Sequence, residues 1–158
     1  MVSLDGVKRW ILTAAAAGLA GCGSPSALEV SPTHLRGLEV ADEGARMVRA
    51  EQLRRFHGAV GVRERERRLG HYYDVDWRDE GVGEPVTVRF DYQQGGSGSR
   101  VHTLTEEFDA ARTEGRAEFR IVGDDYLQGG RVLAWRCGLW RGDREVASRA
   151  SYLWSDPR

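Results

Sequence analysis

Four histidines, two cysteines and several clusters of carboxylates are the side chains with which this sequence could do chemistry. His34, His57, His71 and His102 could ligate a transition metal or act as bases. None stands two or four positions from another, the spacings that aim two imidazoles at one ion from a strand or a helix, so zinc is not expected. Asp74, Asp76 and Asp79, then Glu106, Glu107 and Asp109, then Asp124 and Asp125 could offer oxygens to a hard cation, yet none has the spacing and glycine of a calcium loop. They are expected on loops and solvent faces, with Asp124-Asp125-Tyr126 forming a turn. No Gly-x-Ser-x-Gly elbow joins a serine to a histidine. The sequence therefore names no catalytic residue, no metal ligand and no cofactor, and a non-enzymatic protein is expected.

Two loop motifs have both a functional and a plain reading. Gly95, Gly96 and Gly98 superficially resemble a phosphate-cradling loop, but neither a helix start nor a Gly-Lys-Ser/Thr follows, so a hairpin loop is expected. Arg141-Gly142-Asp143 spells an adhesion tripeptide at an expected hairpin tip, where Gly-Asp is also ordinary turn chemistry. Cys22 and Cys137 could pair on arithmetic alone. Cys137 lies in the apolar run Leu133-Ala134-Trp135-Arg136-Cys137-Gly138-Leu139, where a free thiol packs as a small hydrophobe.

The most specific pattern lies at the amino terminus. Lys8-Arg9 precedes the apolar run Trp10–Leu19, the layout of a secretory signal. A helix over that run rises about 15 Å, half the roughly 30 Å hydrocarbon core, which is too short for a permanent span. At its end Leu19-Ala20-Gly21-Cys22 resembles the lipobox of bacterial lipoproteins: an aliphatic residue, two small ones, then the cysteine. The resemblance covers residues 1–22 and no more. It implies that Leu19, Ala20 and Gly21 are read by a signal peptidase that cuts before Cys22, and that Cys22 carries lipid on its sulfur and acyl on its new amino group. Cys137 would then be left without a partner. Each buried methylene contributes about 0.8 kcal/mol, so two or three chains would make dissociation negligible. Asp5 departs from the pattern by weakening the positive charge of the head without reversing it, and Gly23, in place of an aspartate after Cys22, leans towards the outer membrane, on its periplasmic face where the source has one.

The elements that would position any site read as strands. Residues 1–21 are expected as signal peptide, 22–34 as lipidated cysteine and flexible tether, and 35–158 as one domain. A helix is expected over Ala45–Phe56, and Arg63–Arg68, with its interleaved signs, reads as a solvated face. Beyond it the chain alternates apolar and polar residues between glycine clusters. Tyr73, Val75 and Trp77 share a face, as do Val86, Val88, Phe90 and Tyr92. Arg100–Phe108 and Ala117–Val122 are weaker strands, and Val132–Trp140 with Glu145–Trp154 forms a terminal hairpin that puts Trp135, Cys137 and Leu139 on one face. Six to eight short strands fit an all-β, immunoglobulin- or fibronectin-like two-sheet sandwich; a small eight-stranded barrel is the alternative.

The net charge of −1 and interleaved signs do not favour nucleic acid as a partner. Tyr72, Tyr73, Trp77, Tyr92, Tyr126, Trp135, Trp140, Tyr152 and Trp154 are many for a small domain, and alternation keeps Tyr72 and Tyr73 from both being inside. The expected function is a membrane-anchored envelope lipoprotein whose sandwich binds a protein partner through a strand edge or an aromatic face. The rival is a carrier of a small molecule or lipid, which would need an apolar cavity between the sheets.

Overall fold

The computed structural model describes residues 26–38 and 46–154. Among these residues seven strands and three α-helices follow in the order β1 (Leu28–Leu35), α1 (Arg46–Phe56), α2 (Val62–Glu66), β2 (Gly70–Arg78), β3 (Val86–Gln94), β4 (Val101–Phe108), β5 (Glu114–Val122), α3 (Asp124–Gly129), β6 (Val132–Arg141) and β7 (Arg144–Ala150). The strands form two antiparallel sheets, β1-β2-β5 and β4-β3-β6-β7. The chain changes sheet between β2 and β3, β4 and β5, and β5 and β6, the crossed connections of a fibronectin-like sandwich. The sheets stay separate, so the molecule is the sandwich and not the barrel.

Alternation produces the core. Tyr73, Val75 and Trp77 from β2 and Ala117, Phe119 and Ile121 from β5 face Val86, Val88, Phe90 and Tyr92 from β3 and Cys137 and Leu139 from β6. Phe90 is the hub, with ring centroids 4.4 Å from Tyr73 and 5.3 Å from Phe119. Trp77 lies so close to Gly115 that a β-carbon there would meet the indole at 2.8 Å, which keeps this position glycine.

Three expectations change. The stretch expected as tether up to residue 34 is mostly strand: β1 pairs with β2 over its whole length, from Leu28 opposite Trp77 to Leu35 opposite Gly70. Its sequence, with Pro32 inside, hides the alternation because β1 is an edge strand, where a missing N–H costs no ladder bond. The terminal hairpin's second arm ends at Ala150, leaving Tyr152 wholly exposed. Tyr72 and Tyr73 are both buried, because the outer face of β2 has its own cover.

That cover is the β1–β2 connection. Arg, Met, Ala, Glu, Gln and Leu give α1 strong helix formers, Arg54 and Arg55 suit the dipole at its carboxyl end, and Gly58 then takes φ 81° to turn the chain. Phe56 packs with Leu35 and Tyr72 in a second, smaller cluster. In α2 the Glu64 carboxylate accepts the Val60 and Gly61 N–H groups at 2.8 and 3.2 Å, filling otherwise empty donors at the helix start. Asp124-Asp125-Tyr126, expected as a turn, opens α3.

Candidate functional site

Cys22, Leu19, Ala20 and Gly21 lie outside the described residues, as does the start of the expected Ala45–Phe56 helix. Among the described residues, no helix is long and apolar enough to cross a membrane. The remaining candidates are placed one by one.

Most carboxylates singled out in the sequence have structural partners. Asp74 accepts from Arg55 at 2.6 Å on the outer face of β2, and Arg55 also binds Glu51 at 2.6 Å and Glu118. The Arg55 guanidinium stacks over Tyr72, 4.2 Å from the ring centroid. Asp79 accepts from Arg141, whose other nitrogens donate to the carbonyls of Glu84, Ala110 and Arg112. That bond holds the Asp79 carboxyl below its usual range. The same contacts bury Arg141, so the Arg141-Gly142-Asp143 tripeptide cannot present its arginine, and its hairpin tip is a structural turn. Cys137 is fully buried, and desolvation pushes its thiol up to about 12, so it packs as a hydrophobe and is a poor nucleophile. Gly95–Ser97 forms a single 3₁₀ turn beside Gly129 rather than the start of a phosphate-binding helix.

Two histidines that look scattered in the sequence come together. Antiparallel pairing sets His34 opposite His71, and their rings stack at 3.8 Å with 15° between planes. Arg36 Nε donates to His34 Nδ1 at 3.1 Å, so a neutral His34 carries its proton on Nε2 and donates it to Tyr126 Oη at 2.9 Å. The Val132 N–H donates to His71 Nε2 at 3.3 Å. Each ring thus has one lone pair occupied by the protein, and stacked planes cannot aim both at one ion. Desolvation lowers both histidines, His71 to about 4, with His34, Arg131 and Arg36 adding to the shift at His71. The cluster joins β1, β2 and α3 and caps one end of the sandwich.

The aromatic residues do not assemble into one binding face. Tyr73, Trp77 and Tyr92 belong to the core, Trp135 packs against it, Tyr72 lies beneath α1 and Tyr126 serves the histidine pair. A groove of about 540 Å³ is bordered by Glu29, Asp76, Arg78, Arg112 and Glu114 around Trp77.

The strand edges differ more sharply. Edge strands expose unpaired backbone donors and acceptors, and proteins blunt them with proline, charge, bulges or cover. β1 carries Pro32, and Arg149 reaches across the seam from β7 to the Leu28 carbonyl at 3.2 Å. β7 carries Arg144 and Arg149, and its pairing with β6 is broken by an irregularity at Leu139/Trp140. β5 has its Glu118 N–H covered by the Glu106 carboxylate at 3.4 Å, with Arg116 and Arg120 beside it. β4, by contrast, pairs with β3 in unbroken register from Val101 to Phe108 and contains no proline, glycine, lysine or arginine. Val101, Thr103, Thr105 and Glu107 alternate outward and are exposed, while His102, Leu104, Glu106 and Phe108 are half-buried. Glu106 is its one inward charge. In sequence, Arg100–Phe108 reads as a weaker strand; edge position is a property of sheet order, which no local pattern carries.

No family model, curated protein or solved structure matches this chain.

Proposed function

We propose that this chain is a bacterial envelope lipoprotein, anchored to a membrane through lipid on Cys22, whose sandwich is a non-enzymatic module that binds a protein partner along the β4 edge. The anchor reading rests on Lys8-Arg9, the apolar run after it and Leu19-Ala20-Gly21-Cys22. The four Cα-to-Cα steps from Cys22 to Ser26 reach about 14 Å at most, which keeps the domain beside the bilayer.

One observation carries the interaction reading: a regular edge strand with no proline, bulge, lysine or arginine, charged only at Glu106 and Glu107, on a sandwich whose centre is filled. Val75, Val86, Val88, Phe90, Cys137 and Leu139 are completely buried where a carrier would need space for its cargo. This favours a partner surface over the carrier alternative.

Replacing Cys22 by serine in the full chain tests the anchor. Membrane fractionation should move the protein from the detergent-extracted fraction to the aqueous one, and mass spectrometry should find a lipid-modified Cys22 only in the parent. An unmodified Cys22 in the membrane-bound parent would refute the anchor.

A further inference from the structure

We infer that the partner of β4 is a second copy of this chain, added antiparallel across a dyad centred on Leu104. The inference rests on the reading above for where the two copies meet. Directly opposed residues in an antiparallel pair share a face, so a twofold axis between two β4 strands must pass through a residue pair. Centring it on Leu104 sets His102 opposite Glu106 of the second copy twice over, Thr103 opposite Thr105 twice, and Leu104 opposite itself. The central positions of Val-His-Thr-Leu-Thr-Glu-Glu-Phe, His102 to Glu106, are complementary to their own reversal at this register, while Val101 falls opposite Glu107 at the exposed ends. Neighbouring registers are poorer. A dyad on Thr105 sets Leu104 against Glu106, one on Glu106 opposes two carboxylates, and one on Thr103 pairs Arg100 with Glu106 but sets His102 against Leu104 and runs Glu107 and Phe108 against the loop residues Ser99 and Gly98.

A second observation points the same way. His102 Nε2 is buried without a hydrogen-bond partner, its ring stacked on Tyr92 at 5.1 Å. Buried polar atoms are normally satisfied, and Glu106 of another β4, whose second oxygen is not used by its 3.4 Å contact with the Glu118 N–H of its own chain, offers the missing acceptor after a ring rotation. The groove bordered by Arg54, Asp74, Glu106, Arg116, Ala117 and Glu118 opens beside Glu106, the position that meets His102 of the second copy. The dyad runs normal to the sheets, so both β1 strands lie in the same layer of the dimer and both anchors can reach one membrane. Confinement there raises the effective concentration of a modest interface.

Co-expressed full-length chains carrying Thr103→Cys and Thr105→Cys test the register in native membranes. Mild oxidation should give a disulfide-linked dimer whose 103–105 cross-link is identified by peptide mass spectrometry, in yield well above either variant alone. In the same assay His102→Glu opposes two carboxylates and should lower cross-linking about tenfold, whereas adding Glu106→His in the same chain restores the pair and should bring the yield back to within about threefold. Rescue separates pairing between copies from a fold defect, because the two positions do not face each other within one strand. No 103–105 link, or a swap that fails to rescue while both variants keep the parent's melting temperature, would overturn the dimer. Fractionation of the same samples scores the Cys22 anchor independently.

Discussion

The two outer faces of the sandwich are built from strands of similar length and alternation, yet they meet different surroundings. On the β1-β2-β5 side, α1 lays Arg55 and Phe56 over Tyr72 and Asp74, so β2 is buried on both faces through most of its length. On the β4-β3-β6-β7 side no helix among the described residues intervenes: Thr87 is half-exposed and Arg89 exposed, and the buried carboxylate of Asp91 is held by Arg89 at 3.0 Å and by Thr103. The covering helix comes from the connection between β1 and β2, not from any feature of the strands beneath it. A face becomes a second small core when a connection is long enough to cross it, and otherwise remains a polar surface.

Breaking the covered face should give the largest effect. Arg55 is the only described cation that joins Glu51, Asp74 and Glu118, and it is almost wholly buried. Arg55→Met removes the nearest charge from Asp74 and leaves Arg54 and Arg116 at 3.5 and 3.8 Å, so the cost should approach, from below, the roughly 3–5 kcal/mol of a buried ion pair that loses one partner. Urea denaturation should show that loss, with much of it recovered when Asp74→Leu is added, since an apolar replacement of both partners avoids the stranded charge. A loss below about 1 kcal/mol would mean that α1 covers the sheet without holding it.

This comparison also locates what was legible in the sequence. Val86 to Tyr92 alternates cleanly because one face of β3 meets the core and the other meets water. Trp135, Cys137 and Leu139 share their expected face for the same reason. Tyr72 was misjudged because alternation reports sidedness relative to one core and is blind to a second cover made by distant residues. The His34–His71 stack was hidden similarly: it follows from the β1–β2 register, and β1 itself was obscured by Pro32 and the polar residues around it. The lipobox is the opposite case, a chemical signal that is local and needs no fold. It is legible in sequence, and the described residues do not reach it.

A smaller, pH-dependent effect should separate ion pairs from the histidine cap. His71 titrates near 4 in the folded protein because burial disfavours its cation, with His34, Arg131 and Arg36 adding repulsion, against about 6.5 when unfolded. The unfolded chain therefore binds more protons between these values, so the stability is present above pH 6.5 and is lost as pH falls towards 4. His34 shifts in the same direction. Thermal melts from pH 7 to 4 should show a decline on the order of 2 kcal/mol. His71→Gln cannot titrate and can still accept the Val132 N–H, so it should flatten much of that slope. An unchanged slope in this variant would assign the acid sensitivity elsewhere.

The least effect is expected on the uncovered face, where Arg136 on β6 pairs with Glu145 on β7. Both side chains keep part of their surface in water, so solvent competes for the charge and the pair gains little net energy. Arg136→Ala should cost about 1 kcal/mol or less, and raising the salt concentration should shrink even that difference. Measured beside Arg55→Met in the same denaturant series, it tests whether burial, rather than the presence of an arginine–carboxylate pair, sets the cost. Equal losses at the two sites would show that the four-stranded face is as tightly constrained as the covered one, and the contrast between them would fail.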